Sequence, residues 1–211
     1  MNRDYEKIVR HYEQCFTTHG DNHLGMDWPK LEDNHKRFQV MLDVVQYDLR
    51  HAGLPCVLDF GCGTAHLLEY IREKNIVLDS YIGLDLSELF VARCQEKYPE
   101  EKFILGDVLD DDFQWPVFDY AVMNGVFTEK RDLTHSEMWE YFKQVIGKVF
   151  RASRRGIAFN VMSKNVDWER EDLFHLSMDQ LSGWVTRELS RNIIIRQDYG
   201  LYEYTAYLYK G

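Results

Sequence analysis

Two glycines at alternate positions, Gly61 and Gly63, follow a short apolar run that carries an acid, Val57-Leu58-Asp59-Phe60. Two more carboxylates, Asp85 and Asp107, each close another short apolar run. Glycines allow a sharp turn and let a ligand lie flush against the main chain. An acid roughly two dozen residues after such glycines can accept both hydroxyls of a ribose. A further acid can accept an amino proton from a purine edge. Together these residues suit the binding of a nucleoside. Asp59, just before the turn, would repel a pyrophosphate but suits an ammonium group. The dinucleotide pattern G-x-G-x-x-G/A fails at His66, and no lysine follows the glycines as a phosphate-binding loop requires. The expected ligand is therefore a nucleoside with a cationic or zwitterionic tail.

The elements that must position these residues follow from periodicity. Val57 to Phe60 reads as a buried strand, and Ala65, Leu67, Leu68 and Ile71 then repeat at helical spacing. Ser80 to Asp85 is a second strand, with Ser87 able to cap the next helix. Lys102 to Leu105 is a third strand and Asp119 to Met123 a fourth. Thr134 and Glu137 make a capping box ahead of a helix faced by Met138, Tyr141, Phe142, Val145 and Val149. Ile157 to Val161 is a fifth strand. Ser177 and Gln180 form a second box, opening a helix to about Leu189. Asn192 to Arg196 and Tyr202 to Tyr209 read as closing strands around a Tyr199-Gly200 turn. Alternation of strands and helices predicts a mostly parallel sheet with helices on both faces. The short last turn requires an antiparallel pair.

Residues 1 to about 35 read as an irregular or helical preface, aromatic and polar. An amphipathic helix marked by Phe38, Met41, Leu42, Val45 and Leu49 follows, ending near Gly53 and Pro55. No linker or repeat divides the chain. A single domain over 1–211 is expected, with 1–52 a helical or lid segment and 53–211 a Rossmann-like core.

With 211 residues, 45% of them hydrophobic, the chain can bury its own core. A formal net charge of -10 disfavours nucleic acid as a partner. The polar first residues predict no leader, and no apolar run is long enough to predict a bilayer span. The four cysteines have neither disulfide density nor paired metal spacing. A cytoplasmic location is expected, with no membrane contact. His19 and His23 would suit a metal on a helix, but Gly20, Asp21 and Asn22 between them argue for a turn. No metal is expected.

In a sheet of this kind ligands sit beyond the carboxyl ends of the central strands. Asp59 to Gly63, Asp85 to Ser87, Gly106 to Val108 and Asn124 to Phe127 all fall there. At this point the sequence resembles a known family. Val57-Leu58-Asp59-Phe60-Gly61-Cys62-Gly63 is similar to the first motif of class I S-adenosylmethionine-dependent methyltransferases. Gly83-Leu84-Asp85-Leu86-Ser87 resembles their second-strand acid, and Gly106-Asp107-Val108 their adenine-contacting acid. Phe118-Asp119-Tyr120-Ala121-Val122-Met123-Asn124-Gly125 resembles their fourth-strand motif. The resemblance covers about residues 55 to 165, with the motifs in the family's order, and it implies a seven-stranded sheet. It further implies that Gly61, Cys62 and Gly63 lie along the methionine part of S-adenosyl-L-methionine, with Asp59 serving its amino group. Asp85 and Leu86 would hold the ribose, Asp107 and Val108 the adenine, and Asn124 would lie near the reacting end. The Asn/Asp-Pro-Pro-aromatic motif of the family's nucleic-acid amino-methylating branch is replaced by Asn124-Gly125-Val126-Phe127, which argues against base N-methylation.

The remaining candidates concern the rest of the ligand and the methyl acceptor. Arg37 is positioned to pair with the cofactor carboxylate. Trp28, Phe127 and Tyr202 are candidate walls of the acceptor pocket, and His135 is a candidate general base. The expected activity is methyl transfer to oxygen or nitrogen of a small molecule. A protein or RNA methyltransferase, or a non-catalytic binding module of the same fold, are the alternatives.

Overall fold

The computed structural model describes residues 3–50 and 52–211. Three helices precede the sheet: α1 (Glu6–His19), α2 (Leu31–Leu42) and α3 (Val44–Tyr47). Then strands and helices alternate: β1 (Cys56–Phe60), α4 (His66–Glu73), β2 (Ser80–Asp85), α5 (Glu88–Lys97), β3 (Lys102–Leu105), β4 (Tyr120–Met123), α6 (His135–Ala152) and β5 (Gly156–Ser163). The chain closes with β6 (His175–Leu176), α7 (Met178–Glu188), β7 (Ile193–Arg196) and β8 (Glu203–Tyr209). The strand order is β3-β2-β1-β4-β5-β8-β7. β8 runs antiparallel to both β5 and β7, and the other pairs are parallel. The expected Rossmann-like sheet with its closing hairpin is therefore present. Two-residue β6 adds an eighth strand, paired with Met162 and Ser163 of β5 past the end of β4.

Alternation along the strands builds two cores. Leu58, Ile82, Ala121, Phe159 and Tyr204 face α6 and α7, whose Phe142, Ile146, Leu181 and Val185 are buried against them. Val57, Tyr81, Tyr120, Ala158 and Tyr207 face the other way, onto α2, α4 and α5. The α6 capping box is complete, whereas at α7 only Ser177 accepts, from the Gln180 N–H.

One local expectation is corrected and another is sharpened. The preface takes the helical of its two readings and carries a 14-residue helix, α1. Its signal was Tyr5, Ile8, Tyr12 and Phe16, spaced three and four apart along one face. The next helix does not run to Leu49. It breaks at Asp43 into α2 and α3, and Leu49 is 96% exposed. Tyr207 and Tyr209 are buried and donate inward to the carbonyls of Val40 and Val44, the latter at 2.9 Å. These carbonyls lie at the α2–α3 break, and β8 thereby clamps the N-terminal helices to the sheet. Tyr209→Phe leaves the Val44 carbonyl buried without that donor and is expected to cost about 1 kcal/mol. Urea unfolding should show a lower midpoint with unchanged slope.

Candidate active site

β1 lies between β2 and β4, where the strand order reverses and a crevice opens beyond the strand ends. The turn after β1 fills the floor of that crevice. Gly61 and Gly63 have φ of 70° and 53°, in the left-handed region that favours glycine. A Cβ on Gly61 would stand 2.7 Å from Val126 Cγ2, and one on Gly63 2.8 Å from Met26 Sδ. The turn is fastened to β2. The N–H groups of Gly61 and Cys62 donate to the Leu84 carbonyl at 2.7 and 3.1 Å. The Gly63 N–H donates to Asp85 Oδ2 at 2.9 Å. The other Asp85 oxygen accepts from the Ser87 N–H at 2.9 Å. The Ser87 hydroxyl in turn caps α5, accepting from the Phe90 N–H.

A cavity of about 140 Å³ lies over this turn, lined by Asp59, Gly61, Cys62, Gly63, Asp85, Leu86 and Asn124. Tyr5, just before α1, and Ile8, Val9 and Tyr12 of α1 form its roof. Asp59 and Asp85 are 3% and 8% exposed, and neither is ion-paired among the described residues. Burial pushes Asp59 up to about 7, opposed by the Tyr81 hydroxyl that donates to it at 2.7 Å and reinforced by the Asp85 charge. Burial pushes Asp85 up to about 6, opposed by the backbone N–H groups of Ser87 and Gly63. Two buried carboxylates without a cation, beside a cradle that any Cβ would fill, fit a nucleoside bearing a sulfonium and an ammonium group.

The other candidates are distributed as follows. Asp107 lies at the end of β3 and outside the cavity wall. It accepts from the Tyr5 hydroxyl at 2.5 Å and from the Leu109 N–H at 2.8 Å. Val108 is buried in the adjoining core. Arg37 does not face the glycine turn. Its Nε donates to both oxygens of Glu203 at 3.0 and 2.9 Å, and its guanidinium lies 4.2 Å over the Trp28 ring. Phe127 is withdrawn from both cavities, fully buried and edge-on to Phe142 at 4.9 Å. Its side chain serves core packing. His135 also lines neither cavity. Its Nε2 stands 3.0 Å from the His175 carbonyl, which accepts only if that nitrogen carries the proton, so no basic Nε2 is left to take one. Tyr202 is 64% exposed, at the rim of a second cavity.

That second cavity is larger, about 350 Å³, and opens beyond the ends of β5 and β8. Tyr12 and Trp28 line both cavities and so form the wall between them. Trp28 sits close against Gly125, where a Cβ would fall 2.5 Å from its ring. Behind it runs a buried network that sequence reading missed. The Asn160 side chain accepts from the Gly125 N–H at 2.8 Å and donates to Glu203 at 2.9 Å. An amide within an apolar strand was the available signal. Glu129, 7% exposed on the wall of this cavity, was missed as well. Burial raises its carboxyl above the ordinary value, with Arg131 opposing.

Comparison with known proteins agrees with this geometry. Residues 57–156 match a methyltransferase domain family. A Mycobacterium tuberculosis protein named as a methyltransferase is 28% identical over 158 residues, covering 72% of this chain and 92% of that one. The malonyl-[acyl-carrier protein] O-methyltransferase of Pectobacterium atrosepticum is 29% identical over 121 residues, which span 54% of this chain and 40% of that protein. In fold, the chain is similar to magnesium protoporphyrin IX methyltransferase from Synechocystis with bound SAH, at a TM-score of 0.64 and 15% identity, over 98% of this chain and 100% of that one. It is also similar to the plantazolicin methyltransferase BpumL in complex with a desmethyl analogue and SAH, at a TM-score of 0.61 and 16% identity, over 100% of this chain and 92% of that one. Residues 57–156 thus carry a match to a methyltransferase domain that contains the glycine turn, Asp85 and Asp107, and the fold is similar to that of S-adenosylmethionine-dependent methyltransferases.

Proposed function

We propose that this methyltransferase acts on oxygen or nitrogen of a small molecule held in the second cavity. The observation that carries this reading is the shared wall of Tyr12 and Trp28, which sets two cavities side by side. One is floored by the glycine turn and suits the cofactor. The other suits an acceptor of modest size. Methyltransferases of similar sequence or fold are named for malonyl-[acyl-carrier protein], magnesium protoporphyrin IX and plantazolicin, which supports an acceptor other than nucleic acid.

S-adenosylmethionine, when bound, supplies a methyl group on an already activated sulfonium. The chain's own task is to align and desolvate. Gly61 and Gly63 admit the methionine portion. Asp59 and Asp85 supply the negative charge, Asp59 toward the ammonium end and Asp85 toward the ribose. A carboxylate offers about four lone-pair sites, so Asp85 can hold the turn and still accept from a ribose hydroxyl. At the ends of β3 and β4, we assign Asp107 and Val108 to the adenine and the Asn124 backbone to the reacting end. α1 and residues 20–37 form the cover, α1 over the cofactor and Trp28 between cofactor and acceptor. Where the acceptor is a hydroxyl, Glu129 replaces His135 as the candidate base, since it lies on the cavity wall and burial strengthens it as a proton acceptor.

The direct test is a screen of hydroxyl and amine metabolites with methyl-labelled cofactor. Label appearing on a small acceptor supports the reading, and label found only on protein or RNA overturns it. Asp85→Asn is expected to weaken cofactor binding by roughly 1.5–3 kcal/mol, the scale of hydrogen bonds to a charged group. Calorimetry reads this directly, and an unchanged dissociation constant would refute the assignment. The two raised carboxyls also set a pH dependence. Each is more readily protonated in the folded chain than at its unfolded value of 3.8, so the folded form holds extra protons between about 4 and about 7. Stability of the cofactor-free chain from these two groups therefore falls as pH rises through that window. A bound cation favours the ionised forms, so cofactor affinity should rise with pH up to about 7 and then level off. Calorimetry in buffers of different ionisation enthalpy should show proton release on binding in wild type, and less of it in Asp59→Asn.

A further inference from the structure

His11 and Cys15 lie one turn apart on α1 and share a face, with Asp27 of the following loop set against them. His11 Nε2 stands 2.8 Å from Asp27 Oδ2 and 3.7 Å from Cys15 Sγ, and the three ligand atoms fall within 4.8 Å of one another. Asp27 is held there by backbone. Its φ is 56°, unusual for a residue with a side chain, and its N–H donates to the Leu24 carbonyl at 3.0 Å. The next N–H, of Trp28, donates to the His23 carbonyl at 2.8 Å.

As a hydrogen-bonded group this trio is one bond short. Nε2 carries either a proton or a lone pair. With the proton it serves Asp27 and leaves the thiol without an acceptor at that nitrogen. With the lone pair it can accept from the thiol but faces the carboxylate with nothing to donate. A cation resolves the conflict, because it takes a lone pair from all three. Tetrahedral sites with metal–nitrogen and metal–oxygen bonds of about 2.0 Å and metal–sulfur bonds of about 2.3 Å place their donors about 3.3–3.7 Å apart. The Sγ–Nε2 separation already lies at the edge of that range. The nitrogen–oxygen pair needs to open by about half an ångström, a side-chain adjustment for a carboxylate that is 43% exposed.

We propose that His11, Cys15 and Asp27 form a binding site for a zinc-like divalent metal ion. One sulfur, one imidazole nitrogen and one carboxylate oxygen suit zinc or cobalt, whereas magnesium and calcium prefer oxygen alone. Three protein ligands leave a fourth position for water or another donor. Two of the ligands belong to α1, and the third to the loop that carries Trp28. The ion thus clasps the cover of the first cavity to the wall it shares with the second, which Asp27 itself lines. The proposal is independent of the identity of the acceptor.

The test uses the full chain, stripped with a chelator that is then removed, and titrated with cobalt(II). One equivalent should bind, with a thiolate-to-cobalt charge-transfer band in the near ultraviolet that zinc bleaches. Cys15→Ser should abolish the band. His11→Ala and Asp27→Asn should each weaken binding by at least about tenfold, no less than the loss of an outer partner costs. Circular dichroism of the three variants should match wild type, and zinc should slow proteolysis between Gly20 and Trp28 in wild type alone. Absence of the band, its survival in Cys15→Ser, or displacement of cobalt by magnesium as readily as by zinc would overturn the proposal.

Discussion

The site depends first on one buried carboxylate and the two backbone N–H groups it accepts. Asp85 ends β2, yet its side chain reaches across to Gly63 after β1 and forward to Ser87 at the start of α5. It therefore fixes the spacing of two strand ends and aims a helix N-terminus in the same stroke. Leu84 reinforces the link through its carbonyl, which receives both Gly61 and Cys62. The turn is consequently formed by the protein before any ligand arrives. That is preorganisation, and it lowers the ordering cost that binding would otherwise carry. Its counterpart is a pair of carboxylates held in a dry place: burial raises the pKa of both Asp85 and Asp59, and the Asp85 charge adds to the rise at Asp59.

A second network does for the acceptor side what Asp85 does for the cofactor side. The Asn160 side chain accepts from the Gly125 N–H and donates a hydrogen bond to Glu203, and Glu203 holds Arg37 over the Trp28 ring. Four segments far apart in sequence meet in this line. The charge pair is almost dry, with Glu203 at 1% and Arg37 at 12% side-chain exposure. Removing one partner of such a pair strands the other, which is far costlier than the pair's net contribution. The position of the Trp28 ring, and hence of the wall between the cavities, rests on it.

This contrast explains what could be read in the sequence. β2 and β3 have the residues expected for them, and the glycine turn was evident, because each is specified by neighbours in the chain. The carboxylates at strand ends were visible for the same reason. The acceptor side has no such local signature. Tyr12, Trp28, Glu129 and Glu203 meet only after the sheet has formed, and nothing in their spacing announces it. Phe127 and His135 follow the fourth strand, where acceptor residues were expected, but α6 and β6 withdraw them into packing and a backbone bond. The reading of Arg37 had the right chemistry and the wrong carboxylate, since Glu203 already occupies its Nε. The α1 face was legible in principle, through Tyr5, Ile8, Tyr12 and Phe16, but its polar and aromatic composition concealed the period.

The tyrosine clamp between β8 and the α2–α3 break has a consequence for how the chain matures. Tyr207 and Tyr209 reach carbonyls that precede them by 167 and 165 positions. Arg37 waits for Glu203 over a comparable interval of 166. During synthesis the segment bearing α2 and α3 emerges early, and its fastenings are among the last residues made. Contacts of such long sequence separation form late, after loop closure has been paid for by the sheet. Until β8 inserts between β5 and β7, Phe38, Met41 and Val44 have no completed sheet to cover. A nascent chain halted before Tyr207 therefore presents an apolar face to chaperones and proteases, and quality control can recognise an unfinished molecule by its beginning as much as by its end.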